Sequence, residues 1–229
     1  MWDKDNQKRL KDDKSMNRRQ FAVLGLGKFG RSVARTLSNA GYEVIAVDTD
    51  EEKVNEIADE VTYALKADVT EPEVLENIGI KNVDAVVVAM ALDLGTSVMA
   101  TIRAKEAGAK YVLAKASDTM HGNILKKVGA DEVIFPEKAM GAKIAKKLIS
   151  NNFLDLYELS KTFSIVELKM PQQWAGKTLV ELNLRKKGIN VIGLMEGEKV
   201  TINIEPNLAL PSGATLIIAA SNEILSKIV

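Results

Sequence analysis

The sequence lacks the residues on which several kinds of protein chemistry depend. Its 229 residues include no cysteine, which excludes disulfides, thiolate metal sites and cysteine catalysis. His121 is the single histidine, so one chain cannot build a multi-histidine metal site. Lys plus Arg and Asp plus Glu both number 31, and a chain without a basic excess is a poor candidate for general nucleic-acid binding. No nucleic-acid partner is therefore expected, and a nucleotide-responsive DNA regulator is disfavoured.

Long apolar runs are also missing. No stretch approaches the roughly 18 consecutive apolar residues that span a bilayer, and the polar N-terminus has no secretory h-region. We therefore expect a cytoplasmic protein. Residues 1–19 carry seven basic and four acidic side chains and almost no apolar ones, which predicts a disordered leader. A tail that binds a membrane surface or a partner is the alternative interpretation.

From residue 20 onward, short apolar runs alternate with stretches of helical spacing. The predicted strands are 21–25, 43–48, 61–68, 84–91, 111–116 and 131–136, and the predicted helices are 29–41, 50–59, 71–80, 95–108 and 121–130. Regular β/α alternation is typical of a parallel sheet covered by helices on both faces. The sequence thus predicts an α/β, Rossmann-like doubly wound domain over 20–136.

The remaining residues change character. A further helix is predicted over 137–152, and its broad apolar surface either packs on its own domain or crosses to a second subunit. No strand is expected directly after it, so 137–158 is interpreted as a crossover helix and linker. Strands are then predicted at 162–170, 189–196, 199–205 and 214–221, with short helices at 178–184 and 222–229. This pattern predicts a small α+β domain over 159–229.

The strongest motif is GLGKFG, which follows the first predicted strand and opens a helix. Gly25, Gly27 and Gly30 match G-x-G-x-x-G, in which glycines permit a tight turn, a close phosphate approach and helix–strand packing. Asp48 ends the second strand, where a carboxylate accepts hydrogen bonds from ribose hydroxyls and repels a 2′-phosphate. The alternative is a glycine turn that serves packing alone, with Asp48 as a helix cap.

Topology adds further candidate contacts, because ligands lie beyond the carboxyl ends of parallel strands. Lys28 in the loop is a candidate for a terminal phosphate, and Glu137 for a cation bound to phosphate. The alternatives are a solvated lysine and a helix N-terminal acid. The remaining candidates in the same crevice are Phe29, Thr49, Ala67, Asp68, Ala89, Met90 and Lys115.

Catalytic groups are not evident beside this motif. A dehydrogenase needs a substrate domain and a positioned acid or base. His121 is interpreted as a surface or helix-cap residue, and the region after 155 has no cluster of acids or histidines. A ligand sensor without enzymatic activity is favoured, and a small NAD-dependent oxidoreductase is the alternative.

Several segments resemble the RCK proteins, the cytosolic regulatory subunits of Ktr and Trk potassium transporters, and most closely the KtrA/KtrC type. The resemblance covers nearly all of 20–229 and is carried by QFAVLGLGKFGRSVARTL, EVIAVDTDEEKVNE, NVDAVVVAMA, KVGADEVIFPEKAMGAKIA and SIVEL. GADEVIFPEKAMG is more specific than the glycine motif, because most Rossmann enzymes lack it.

This resemblance implies TrkA-N-like and TrkA-C-like domains. It implies dimers that form through the crossover helix and an octameric ring on the cytoplasmic side of a membrane-embedded potassium transporter subunit. ATP, ADP or, in some members, NAD(H) would bind the first domain and change the shape of the ring. Asp48 would hold ribose, and Glu137 would lie near the terminal phosphate and its Mg²⁺ or other divalent cation. The family often has Arg where this chain has Lys28, and Lys lacks the bidentate fork.

The resemblance also implies a second ligand, since the C-domain dimer of Gram-positive relatives binds cyclic di-AMP. TLVELNLR is similar to the corresponding segment, with Leu179 and Val180 as an apolar floor and Arg185 as a phosphate contact. Asn190 and Pro206 are further candidates. A helix that carries a surface arginine is the alternative interpretation.

Overall fold

The structure is a computed structural model that describes residues 19–90, 93–149 and 153–228. Residues 1–18 of the predicted leader lie outside the described residues. The chain divides into two compact units between Pro136 and Glu137. No helix within the described ranges has both the length and the apolar character needed to cross a bilayer.

The first unit is built on one parallel sheet. Its strands are β1 (Gln20–Leu24), β2 (Glu43–Asp48), β3 (Tyr63–Lys66), β4 (Ala85–Val88), β5 (Val112–Lys115) and β6 (Glu132–Ile134). Its helices are α1 (Lys28–Asn39), α2 (Glu51–Asn55), α3 (Pro72–Asn77), α4 (Leu94–Glu106) and α5 (Thr119–Lys127). The strand order β3-β2-β1-β4-β5-β6 confirms the predicted Rossmann-like fold and places the switch point between β1 and β4.

Each face of this sheet has its own apolar core, because successive side chains of a strand point to opposite faces. Val23 of β1 packs with Ala34 of α1 and Val54 of α2 on one face. Leu24 of β1 packs with Ala100 of α4 on the other, in the cluster that also includes α3 and α5 residues. Helices therefore cover both faces, as the β/α alternation predicts.

Two predicted helices are shorter than their apolar spacing suggests. The segment 50–59 contains α2 and then a separate 3₁₀ turn, Ala58–Glu60. The segment 71–80 ends its α-helix at Asn77, and a second 3₁₀ turn begins at Ile80. Gly79 between them has φ +75°, a left-handed conformation that stops an α-helix.

The second unit begins with helix α6 (Pro136–Ile149), whose first residue precedes the division point, and contains an antiparallel sheet. Its strands are β7 (Phe153–Glu158), β8 (Phe163–Lys169), β9 (Asn190–Glu196), β10 (Lys199–Thr201) and β11 (Thr215–Ser221). Its short helices are α7 (Leu179–Leu182) and α8 (Asn222–Leu225), with a 3₁₀ turn at Leu184–Lys187. The strand order is β10-β9-β11-β8-β7, which agrees with the predicted small α+β region.

The expectation that no strand follows the crossover helix directly is wrong. β7 lies within the segment interpreted as a linker, and it pairs with β8 at the edge of the sheet. An edge strand is hydrogen-bonded to a neighbour on one side only and often carries charged side chains, here Asp155 and Glu158, so its apolar pattern is weak in the sequence. Lys143 of α6 contacts this strand, with Nζ 3.0 Å from Asp155 Oδ1 and 5.2 Å from the centroid of the Tyr157 ring.

The interpretation of His121 as a surface or helix-cap residue is also wrong. Its side chain is only 2% exposed and lies in the core between helices. Asp118 caps α5 instead, since its carboxylate accepts the backbone N–H of His121 at 2.9 Å. The His121 ring contacts Ser97 of α4, which the local sequence pattern cannot indicate because the two residues are joined only by tertiary packing.

Helix α6 presents apolar side chains to solvent. Met140, Ile144 and Leu148 are 56%, 51% and 76% exposed. They are spaced four residues apart, so they form one stripe along the helix. The interpretation that this helix crosses to a second subunit stays a prediction.

The fit of α1 against β1 yields a testable prediction. A Cβ added at Gly30 would lie 1.9 Å from the carbonyl oxygen of Gly25. Gly30→Ala should therefore lower the free energy of unfolding by about 1–3 kcal/mol, as overpacking of a core does. Urea unfolding followed by circular dichroism measures this change.

Gly27→Ala is the matched control for Gly30→Ala. A Cβ at Gly27 meets no atom within 4 Å, and its φ of −65° suits alanine. Its stability should change by only about 0.5 kcal/mol, as for an ordinary surface substitution. Equal stability of the two variants would contradict the packing argument.

Candidate functional site

The glycine loop lies at the carboxyl edge of the parallel sheet, beside the switch point. Gly25 follows β1 with φ +95°, and its N–H donates to the carbonyl oxygen of Val47 at 2.8 Å. A Cβ at Gly25 would lie 3.2 Å from the backbone nitrogen of Met90. The loop therefore runs close to both neighbouring strands, β2 and β4, and glycine is required by conformation as well as by space.

Helix α1 begins at this loop without a side-chain cap. Gly27 is its N-cap residue and offers no side-chain hydrogen bond, and the first turn carries no acidic residue. The space beside Gly27 is open, as no atom lies within 4 Å of the position that a Cβ would take. Unpaired N–H groups and the positive end of the helix dipole make such a terminus suited to phosphate.

Asp48 at the end of β2 is bound to this loop by hydrogen bonds. Its Oδ2 accepts the N–H of Leu26 at 2.6 Å, and its Oδ1 accepts the N–H of Asp50 at 2.9 Å. The side chain is 11% exposed, and Lys53 Nζ lies 3.9 Å from Oδ1. Each carboxylate oxygen has a second acceptor site, so ribose hydroxyls can still be bound where the side chain reaches solvent.

The alternative reading of Asp48 as a helix cap does not hold. Asp50 caps α2, since its side chain accepts the N–H of Glu52 at 3.0 Å. A contact with Lys53 also lowers the pKa of Asp50 from its ordinary value. Thr49 lies between these two acids and is exposed.

The candidates after β3 follow the same edge of the sheet. Ala67 extends the ladder, as its N–H donates to the carbonyl oxygen of Asp48 at 3.1 Å. Asp68 is exposed, and its Oδ1 accepts both the hydroxyl and the N–H of Thr70, at 2.7 and 2.9 Å. These hydrogen bonds, the hydroxyl first, lower the pKa of Asp68. Ala67 is thus held beside the backbone of Asp48, and Asp68 follows it in the chain.

The candidates after β4 and β5 lie on the other side of the loop. Ala89 is buried, and its N–H donates to the carbonyl oxygen of Leu24 at 2.8 Å. A Cβ at Gly30 would lie 3.1 Å from the Ala89 side chain, which places Ala89 beneath the start of α1. Lys115 at the end of β5 has its Nζ 5.7 Å from the centroid of the Phe29 ring. Lys115 and Phe29 are therefore brought together across the switch point.

The two remaining candidates are charged. Lys28 is exposed and lines a surface depression of about 490 Å³ with other residues of the outer face of α1. Glu137 is exposed in the first turn of α6, at the start of the second unit. Their roles toward phosphate stay predictions. Among the described residues, no three acids or histidines gather to hold a metal ion by themselves.

The second unit contains a cavity that gathers five predicted residues. Its volume is about 340 Å³. Its lining comprises Leu179, Val180, Leu184, Arg185, Ile189, Asn190, Val191, Ile202, Ile204 and Pro206. The N–H of Val180 donates to the carbonyl oxygen of Pro206 at 3.2 Å, which joins α7 to the segment after β10.

Most of the apolar wall of this cavity was missed from the sequence. Ile189 and Val191 border the start of β9, and Ile202 and Ile204 follow β10. The alternation of apolar residues in 199–205 was the available signal, but it was assigned to a longer strand. β10 ends at Thr201, so Ile202 and Ile204 extend beyond the sheet and become walls of the cavity.

Comparison with known proteins places both units in a family. Residues 21–136 match the TrkA-N domain, and residues 163–229 match the TrkA-C domain. The chain belongs to the TrkA-N/TrkA-C family. The Ktr system potassium uptake protein C of Bacillus subtilis is 41% identical over 81% of this chain and 85% of its own length. The Ktr system potassium uptake protein A of Vibrio alginolyticus is 34% identical over 91% of this chain and 96% of its own length.

Solved structures also share the fold of this chain. The GsuK channel bound to NAD is similar with a TM-score of 0.62, at 16% identity. The similarity covers 92% of this chain but 39% of that chain, so the channel is much longer. The resemblance inferred from the sequence to RCK proteins of the KtrA/KtrC type is confirmed by these relatives.

The hydrogen bonds of Asp48 predict that removing its carboxylate lowers both the stability of the protein and its affinity for nucleotides. Asp48→Ala leaves the N–H groups of Leu26 and Asp50 without this acceptor, so the free energy of unfolding should fall by about 1–3 kcal/mol. Binding of adenine nucleotides should weaken by about 1.5–3 kcal/mol, the scale of a hydrogen bond to a charged group. Urea unfolding and calorimetric titration of the folded variant measure the two effects separately.

Asn55→Ala is the control, as Asn55 is an exposed residue at the far end of α2 and is not a candidate contact. It should change neither quantity by more than about 0.5 kcal/mol. Unchanged nucleotide affinity in Asp48→Ala would refute the ribose assignment, whatever the loss of stability.

Proposed function

We propose that this chain is a nucleotide-sensing regulatory subunit of a potassium uptake transporter. The observation that carries the proposal is the uncapped, open N-terminus of α1 beside Asp48. It occurs in a chain whose relatives are potassium uptake proteins over most of their length. The partner would be the membrane-embedded transporter subunit, and the chain would act on the inner face of the cell membrane through that partner.

ATP or ADP is the proposed ligand of the first unit, with NAD(H) as the second candidate. The helix N-terminus suits a phosphate, and Asp48 suits the adenosine ribose of either ligand. The NAD in the GsuK channel structure supports the second candidate. A divalent cation such as Mg²⁺ would bind chiefly through phosphate oxygens, with Glu137 as a protein carboxylate, since Mg²⁺ commonly uses one or two carboxylates beside substrate phosphates.

A small NAD-dependent oxidoreductase is the weaker candidate. Its general acid or base would have to reach a substrate, but His121 is buried and both of its ring nitrogens contact serine groups. The matched relatives are potassium uptake proteins, which also favours regulation over catalysis.

Assembly into dimers and an octameric ring belongs to the same proposal. The apolar stripe of Met140, Ile144 and Leu148 supports it, because exposed apolar side chains of this extent mark protein–protein contacts. A two-fold axis would bring the same stripe of a second copy against it. Nucleotide binding would then act on the transporter by changing the arrangement of subunits in the ring.

Cyclic di-AMP is the proposed ligand of the cavity in the second unit. Arg185 lies at the cavity and is exposed, so its guanidinium can pair with a phosphate. Leu179, Val180 and Ile202 offer apolar surface for a base. A two-fold symmetric dinucleotide suits an isologous dimer, since each subunit offers the same patch to one half of the ligand.

A thermal-shift series tests nucleotide sensing in the first unit. ATP, ADP and NADH should each be compared for the rise in Tm that a ligand of the native state causes. Gly27→Ala should lose most of that rise, because its Cβ occupies the open space at the helix N-terminus. Asn39→Ala, at the exposed far end of α1, should keep it. If none of the three nucleotides raises the Tm of the unmodified chain, the sensing proposal fails.

Calorimetry with cyclic di-AMP tests the second unit. Arg185→Ala should weaken binding by about 1.5–3 kcal/mol without lowering the Tm, since an exposed arginine contributes little to stability. Lys187→Ala, in the same 3₁₀ turn but outside the cavity lining, is the matched control and should bind like the unmodified chain. A folded, dimeric protein that shows no binding would mean that this unit serves assembly alone.

A further inference from the structure

His121 is the centre of a buried hydrogen-bond chain that the proposed function does not use. Its Nε2 lies 2.6 Å from the hydroxyl oxygen of Ser97 in α4. Its Nδ1 lies 3.3 Å from the backbone nitrogen of Ser117 and 3.2 Å from the Ser117 hydroxyl. Ser97 is fully buried and His121 nearly so, which shields the Ser97 contact from water, whereas Ser117 is exposed and its two contacts are partly buried.

The donors around His121 determine which ring nitrogen of the imidazole carries the proton. The Ser117 backbone N–H can only donate, so Nδ1 must carry the lone pair. The ring proton therefore belongs to Nε2 and points to Ser97, whose own hydroxyl donates to the carbonyl oxygen of Leu94 at 3.1 Å. The neutral Nε2–H tautomer satisfies both ring nitrogens, as a buried histidine requires.

The chain of bonds joins two segments of the same edge of the sheet. Ser97 lies in the first turns of α4, which follows β4, and Ser117 lies between β5 and α5. β4 and β5 are adjacent, and β4 adjoins β1 on the side opposite β2 and Asp48. The two segments therefore border the β4–β5 side of the crevice, which lies across the glycine loop from Asp48.

We propose that His121 is a positioning residue for that half of the nucleotide crevice. The inference rests on the proposed function in one respect, namely that the first unit binds a nucleotide. His121 touches no nucleotide itself; it fixes the start of α4 and the segment after Lys115 relative to each other. The ligand parts that meet these segments are the outer phosphates of ATP or the second nucleoside of NADH.

A selective effect on ligands follows from this placement. In the proposed site, AMP would meet Asp48 and the helix N-terminus, on the β2 side of the glycine loop. ATP and NADH would extend past the switch point to the start of α4 and the segment after Lys115. If these two segments are less firmly held together, they spend less time in the arrangement that binds ATP or NADH. The apparent affinity for these ligands is proportional to the fraction of molecules in the binding-competent state, so it falls when that fraction falls.

The test uses Ser97→Ala and His121→Gln in the full chain, with Met120→Ala as the control. Met120 is the neighbour of His121 but is 66% exposed. Calorimetry should give about tenfold weaker binding of ATP and NADH to Ser97→Ala, because the Nε2–H loses its buried acceptor. AMP affinity should stay unchanged. His121→Gln keeps a side-chain donor, so its loss of ATP and NADH affinity should be smaller than that of Ser97→Ala.

A second readout does not depend on any nucleotide. His121 is the only histidine in the sequence, so its imidazole gives unambiguous ¹⁵N resonances. The unmodified protein should show a protonated Nε2 and an unprotonated Nδ1 near neutral pH, and Ser97→Ala should shift the Nε2 resonance.

The outcomes separate this inference from the proposed function. An Nδ1–H tautomer or a doubly protonated ring would overturn the hydrogen-bond chain. Equal losses for AMP, ATP and NADH, or no loss in Ser97→Ala, would overturn the positioning role while nucleotide sensing stands. If the unmodified chain binds no nucleotide at all, both the proposed function and the positioning role fail, whatever the tautomer.

Discussion

The nucleotide crevice depends on how closely α1 approaches β1. Gly30 has no room for a side chain against the Gly25 carbonyl, and this contact sets the position at which the helix begins. The uncapped first turn is then held at the carboxyl edge of the sheet, next to the end of β2. From there the N–H of Leu26 reaches Asp48 at 2.6 Å. Helix packing, loop shape and the placement of the carboxylate are therefore consequences of one close approach.

In the proposed site, Asp48 would link the stability of the loop to ligand binding. The same carboxylate accepts backbone N–H groups on both sides and retains acceptor sites toward solvent. A protein that used this residue for ribose alone would have to order the loop by other contacts. These hydrogen bonds hold the loop without a ligand, which would reduce the conformational entropy cost of the proposed binding.

The two candidate sites differ in their physical character. The crevice of the first unit is formed by backbone N–H groups, a helix terminus and one carboxylate, and it suits phosphate and ribose. The cavity of the second unit is formed mainly by aliphatic side chains with Arg185 among them, and it suits flat bases joined by phosphates. Under the proposed function, the two sites would respond to two different nucleotide signals.

The sequence by itself determined the alternation of strands and helices, the glycine turn and Asp48, because these follow from local periodicity and from residues with special backbone freedom. It also carried the family resemblance, since the segments that resemble RCK proteins are contiguous. Five residues of the second cavity were inferred in this way. The structure later placed them on one lining.

Only the tertiary structure decided the features that join distant residues. β7 is an edge strand with a weak pattern, and it is defined by pairing with β8. Ile202 and Ile204 became cavity walls because β10 ends early. His121 is buried because α5 packs against α4 and brings Ser97 within 2.6 Å of its ring. Such contacts depend on which faces meet in space, and a linear pattern carries no record of that pairing.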